Sequence, residues 1–93
     1  MQIRDFEWDE GNELKNYSKH GVTSAEAEEA FFNANSYRKI GQRYILYGIT
    51  DAGKHLAIVF ICKPGGKVRV IMAREMDDSE KHRFKKAKKG GGK

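Results

Sequence analysis

Arg43 to Glu75 reads RYILYGITDAGKHLAIVFICKPGGKVRVIMARE, and the two interruptions in it decide the fold. Thr50-Asp51-Ala52-Gly53 and Pro64-Gly65-Gly66 are turn chemistry, because proline presets φ and glycine takes the positive φ that other residues resist. They leave three strand-like segments, RYILYGI, HLAIVFICK and KVRVIMARE, whose short connections imply an antiparallel meander. The middle segment, Leu56 to Cys62, is apolar at both parities, as expected of a central strand covered on both faces. The third is two-sided. Val68, Val70 and Met72 form one face, and Lys67, Arg69, Ile71 and Ala73 form the other, alternating basic with apolar. That second face is expected to be half open, with Arg69 and Arg74 at or near one surface of the sheet, where guanidinium groups are suited to grip phosphate oxygens.

Upstream of this stretch the pattern turns helical. Gln2 to Trp8 is a short alternating segment that predicts a first strand, and Asp9 is an N-cap candidate for a helix carrying Leu14 and Tyr17 on one stripe and stopping at Gly21. Thr23 and Glu26 have capping-box spacing and open a second helix, with Ala27, Ala30 and Phe31 as its buried stripe and Glu26, Glu28 and Glu29 as a solvated face. Asn33-Ala34-Asn35-Ser36 ends it, and Tyr37 to Ile40 is either a short strand or an extended linker. Downstream, Asp77 to Glu80 repeats the capping-box spacing before a C-terminal helix whose apolar members, Phe84 and Ala87, are sparse. The expected class is α+β, two N-terminal helices packed on one face of an antiparallel sheet of three or four strands, with a thin C-terminal helix on the other.

Ninety-three residues suit one domain. No apolar run is long enough to span a membrane and no leader pattern opens the chain, so the expected location is cytoplasmic. The lone cysteine, Cys62, lies in an apolar run and is expected to be a buried thiol. The formal charge is +5, but the seven bases of residues 81–93 account for it, leaving eleven bases against thirteen acids in residues 1–80. Within that body, residues 1–37 hold three bases and eight acids, and residues 38–76 hold eight bases and two acids. The basic half is the sheet, which can position its charge for a polyanion. The three histidines have no ligand spacing, and Gly65-Gly66 opens no helix, so neither a metal, a nucleotide nor any other cofactor is expected.

Phe6-Glu7-Trp8-Asp9 with Asn12 and Asn16, Lys19-His20-Gly21-Val22, Glu26-Ala27 with Phe31, Arg43, Gly48, and Arg69-Val70-Ile71-Met72-Ala73-Arg74 ahead of Glu80 together resemble the BrnT toxin family in order and spacing, over about residues 6–84. The resemblance implies a single RelE-like toxin domain, here residues 1–89, and the composition of the glycine run at 90–93 predicts a disordered tail. It implies a metal-independent endoribonuclease that inhibits translation by cleaving RNA. It also implies a BrnA-like antitoxin with a ribbon-helix-helix DNA-binding domain, through which alone operator DNA is contacted. Four positions depart from the family pattern: Met72 stands where serine is common, Met76 and Asp77 where the family is more basic, and Phe84 where tyrosine is frequent.

RNA cleavage without a metal needs a base for the 2′-hydroxyl proton, cations for the phosphate and an acid for the leaving 5′-oxygen. Arg69 and Arg74 are the expected phosphate clamp, and Glu75, His20 and Lys19 the candidates for proton transfer; Arg43, Lys67 and Lys63 extend an RNA groove. Each has a competing structural role. Glu75 can pair with a basic neighbour, and cations in the last turn of a helix are favoured by its dipole whatever their function. A non-catalytic inhibitor of the ParE kind, acting on a protein target, and an inactive RNA- or antitoxin-binding module stand as alternatives.

Overall fold

The computed structural model describes residues 5–34 and 37–91. Residues 2–4 of the expected first strand, Asn35 and Ser36, the side chains of Leu14 and Ala87, and the tail's Gly92 and Lys93 lie outside the described residues. The elements are β1 (Asp5–Glu7), α1 (Glu10–His20), α2 (Ser24–Asn33), β2 (Tyr37–Ile40), β3 (Arg43–Ile49), β4 (His55–Lys63), β5 (Lys67–Glu75) and α3 (Asp78–Gly91). Tyr37 to Ile40 is thus a strand. The helices begin where the caps predict: Asp9 caps α1 and Thr23 caps α2, each reciprocated by the residue three places on.

The sheet has five strands in the order β1-β5-β4-β3-β2. The meander β2 to β5 is antiparallel with β4 at its centre, but β1 joins the far edge parallel to β5, Glu7 opposite Arg69. The sheet is therefore mixed, with more strands than expected. A pairing between segments some sixty residues apart leaves no turn signal to read.

One face of the sheet carries Leu56, Ile58 and Phe60 of β4, Leu46 of β3, and Val68, Val70 and Ala73 of β5, all buried with Val22, Ala27, Ala30 and Phe31 from the helical side. Gly48 lets α2 seat directly on β3: a Cβ there would lie 2.1 Å from the Ala30 carbonyl oxygen. Where β1 ends, α1 takes over the free edge of β5 with two asparagines one helical turn apart. Asn12 Nδ2 donates to the carbonyls of Glu7 and Val70 at 3.1 and 3.0 Å, and Asn16 Oδ1 accepts from the Ala73 amide at 3.0 Å.

Among the described residues, those that α1 buries are therefore polar. Tyr17, expected on the buried side, is 60% exposed, whereas Asn12 and Asn16 are buried. The glutamates of α2 are not merely solvated either, since Glu26 pairs with Lys54, Glu28 accepts from the Trp8 indole at 2.7 Å, and Glu29 accepts from the Asp51 amide. Cys62, expected to be buried, is exposed near the end of β4.

Candidate nucleic-acid interface

Strict alternation along β5 would send Arg69 and Arg74, five residues apart, to opposite faces of the sheet. The register shows how the chain avoids this. Phe60 pairs with Val70 and Val59 with Met72, so Ile71 is an extra residue in β5 and the strand bulges there. Beyond the bulge the parity inverts. Ala73, not Met72, joins Val68 and Val70 in the core, and Met72 and Arg74 fall on the face that already carries Arg69 and Lys67. The expected grouping of Met72 with Val68 and Val70, and of Ala73 with Arg69, is corrected accordingly. The same face receives Lys63 opposite Lys67, and Arg43, Ile45 and Tyr47 of β3. It lies opposite the α1/α2 layer.

Two polar clusters sit on this open face. At one end, Arg69 Nη1 donates to Glu7 Oε1 at 3.0 Å and to Asp9 Oδ2 at 2.8 Å, while Lys63 Nζ donates to Glu7 Oε1 at 2.8 Å. Hydrogen bonds from Lys63 and then Arg69 hold the Glu7 carboxyl below its ordinary range, and that of Asp9 is lowered first by Arg69 and then by the Asn12 amide.

The other cluster is tighter. Tyr47 of β3 is in register with Ala57 of β4, and Ala57 with Arg74 of β5. The small central residue leaves room for its two neighbours to converge on Glu80, in the first turn of α3. Arg74 Nη1 and Nη2 donate to Glu80 Oε1 and Oε2 at 2.6 and 2.9 Å, and Tyr47 Oη donates to Oε2 at 3.2 Å. The Asp77 amide donates to Oε1 at 3.0 Å, and Asp77 Oδ1 accepts from the Glu80 amide at 2.8 Å, which closes the predicted capping box.

Glu80 is buried, with 8% of its side chain exposed. Hydrogen bonding to Arg74 chiefly, helped by the Asp77 amide, outweighs that burial and holds its pKa down at about 2. Tyr47 moves the other way. Burial first, then the charge of Glu80, raises its pKa, partly opposed by the cations Arg38 and Arg83.

The fold thus brings Arg69, Arg74, Lys63, Lys67 and Arg43 onto one face. It does not bring Glu75, His20 and Lys19 to them. Glu75 follows the parity of Ala73, opposite Leu56, and is exposed at the strand end. Lys19 and His20 form the last turn of α1, which runs beside β5 from Val70 towards its C-terminal end.

Sequence reasoning passed over Glu7, Asp9, Tyr47 and Glu80 as site residues. Asp9 and Glu80 were legible as helix caps, and their second contact, to an arginine, depends on the sheet register. Tyr47 had a usable signal, because it shares parity with Arg43. Among the described residues, no group of three or more His, Cys, Asp or Glu side chains is placed to hold a metal ion, and no helix is long and apolar enough to cross a membrane.

No curated protein matches the chain. In fold it is similar to the 1.1 Å crystal structure of the Brucella abortus ribonuclease toxin BrnT, with a TM-score of 0.67 and 24% identity, over 80% of this chain and 97% of that one. A family model described as "Ribonuclease toxin, BrnT, of type II toxin-antitoxin system" matches residues 8–80. Spanning most of the sequence, that match shows that the chain belongs to the BrnT toxin family.

Proposed function

We propose that this chain is the toxin of a type II toxin-antitoxin system and cleaves RNA on the open face of its sheet, without a metal, so that translation stops. The observation that carries the reading is the β5 bulge, which puts Arg69 and Arg74 on one face of the sheet with Lys63, Lys67 and Arg43. Guanidinium groups there can bind successive phosphates and neutralise the charge that builds on the scissile one as the 2′-oxygen attacks. Glu75, His20 and Lys19 lie off that face, near the C-terminal end of β5, and are proposed to remove the 2′-hydroxyl proton where the RNA passes round that end of the strand, next to Arg74.

The sheet with its flanking helices is read as RelE-like, and the protein as cytoplasmic. Its partner is proposed to be a BrnA-like antitoxin with a ribbon-helix-helix domain, which alone touches operator DNA. A segment of that antitoxin covering the basic face would exclude RNA and neutralise the surface together.

One observation favours a second reading, a non-catalytic inhibitor of a protein target or an inactive binding module. Both arginines are already paired with carboxylates, Arg69 with Glu7 and Asp9 and Arg74 with Glu80. Induced expression in a bacterial host separates the readings by growth and total RNA integrity, with Arg69→Ala and Arg74→Ala run beside the wild type and checked for folding by circular dichroism. Arrest with RNA cleavage that both substitutions abolish supports the ribonuclease. Arrest with intact RNA supports the protein-target reading, and no arrest from a folded wild type supports the inactive module.

A further inference from the structure

The convergence of Tyr47 and Arg74 over Ala57 has the form of a proton donor held beside a phosphate-binding cation. Arg74 uses both nitrogens of its fork on Glu80, and Nη1 also donates to the Glu75 carbonyl at 3.2 Å, leaving Nε–H and one Nη2 hydrogen for another acceptor. The Tyr47 hydroxyl is less firmly held. Its 3.2 Å contact with Glu80 Oε2 is long for a hydroxyl on a carboxylate, ordinarily about 2.5–2.7 Å, because that oxygen already serves Arg74 and its partner Oε1 serves both Arg74 and the Asp77 amide. A hydroxyl held this loosely can turn its proton to a better-placed acceptor. Arg38 and Arg83 add their charge from β2 and α3, so the phenol, beside Arg74 on Glu80, feels further positive charge on a surface otherwise suited to phosphate.

We propose that Tyr47 is a catalytic residue of this site, its hydroxyl donating the proton to the leaving 5′-oxygen while Arg74 binds the same phosphate and Glu80 positions both. The inference rests on the ribonuclease reading and names the acid that reading lacks. In the step, the 2′-oxygen forms a bond to phosphorus and its proton passes to the base proposed at the end of β5. The P–O5′ bond breaks, and its electron pair takes the Tyr47 proton. The products are a 2′,3′-cyclic phosphate and a 5′-hydroxyl, and water reprotonates the tyrosinate, which Arg74, Arg38 and Arg83 stabilise meanwhile. Burial and Glu80 favour the protonated phenol, so the donor is loaded at neutral pH.

The test compares wild type and Tyr47→Phe on two synthetic RNAs built around a linkage that the wild type cuts, one with the ordinary 5′-oxygen and one with sulfur in that bridging position. A thiolate leaves without a proton. Tyr47→Phe should lose roughly 10²- to 10⁴-fold in rate on the oxygen linkage, the range of general acid catalysis, and cleave the sulfur linkage at nearly the wild-type rate, with an unchanged melting temperature. Wild-type activity on the oxygen linkage, or equal impairment on both, overturns the assignment, the second outcome marking a structural hydroxyl. A folded wild type that cuts no RNA overturns the ribonuclease reading itself, and the acid with it.

Discussion

Glu80→Gln is the substitution whose consequence the structure quantifies best. The carboxylate accepts the Arg74 fork, the Tyr47 hydroxyl and the Asp77 amide, and in the fold its pKa falls from 4.5 to about 2. At about 1.4 kcal/mol per pH unit, that displacement is worth at most about 3 kcal/mol of stability. The sign follows from the direction. The folded chain holds this proton less tightly than the unfolded one, so the contribution is complete above pH 4.5 and is lost as pH falls from there towards 2. Glutamine keeps the shape but cannot titrate.

At pH 7 the variant should be less stable by about 2–3 kcal/mol, with the half-buried Arg74 left without its anion. Urea denaturation of both proteins at pH 7, 4.5 and 2.5 tests this. The lowered carboxyls of Glu7, Asp9 and Glu26 titrate in both proteins and cancel in the difference. The gap between wild type and variant should therefore narrow by most of its pH 7 value at the lowest pH. Parallel stability curves would refute the assignment of that energy to the Arg74–Glu80 pair.

Gly48→Ala would bring a methyl group to 2.1 Å from the Ala30 carbonyl oxygen. α2 must lift from β3, and circular dichroism melting should show a loss of at least about 2 kcal/mol. Asn12→Ala removes both edge hydrogen bonds to Glu7 and Val70 and the reciprocal cap to the Asp9 amide, for a cost of about 3 kcal/mol measured by urea denaturation. Glu7→Gln releases Arg69 and Lys63 from a shared carboxylate. RNA binding measured by fluorescence anisotropy should tighten at low salt, and its salt dependence should steepen as more cations meet phosphate.

The meander and the helix starts were legible because each is local: turn residues at Gly53 and at Pro64-Gly65-Gly66, period-two strands, the Asp9 cap, and two capping boxes that both formed. What escaped was non-local. β1 joins β5 in parallel across some sixty residues of chain. The sequence predicts an apolar stripe on α1, yet among its described side chains the buried ones are Asn12 and Asn16, because backbone groups at a sheet edge demand polar partners rather than apolar cover. The bulge at Ile71 is the costliest miss. A one-residue slip turns every later side chain over, so a strictly alternating reading of KVRVIMARE misplaces Met72 and Ala73, and only the slip explains why Arg69 and Arg74 share a face. The partners of those arginines were hidden for a related reason. Asp9 and Glu80 look complete as helix caps, and nothing in their spacing tells that each also reaches an arginine of β5.

The central claim is that RNA is cut on the open face of the sheet by groups held there. The direct measurement is cleavage of total bacterial RNA by the purified chain in the presence of a metal chelator, with 5′-end mapping of the products and Arg74→Ala as the paired control. The account predicts discrete cuts by the wild type that leave 5′-hydroxyl ends, and a loss of cleavage in a folded Arg74→Ala protein. RNA left intact by a folded wild type, or cut equally well by Arg74→Ala, would contradict it.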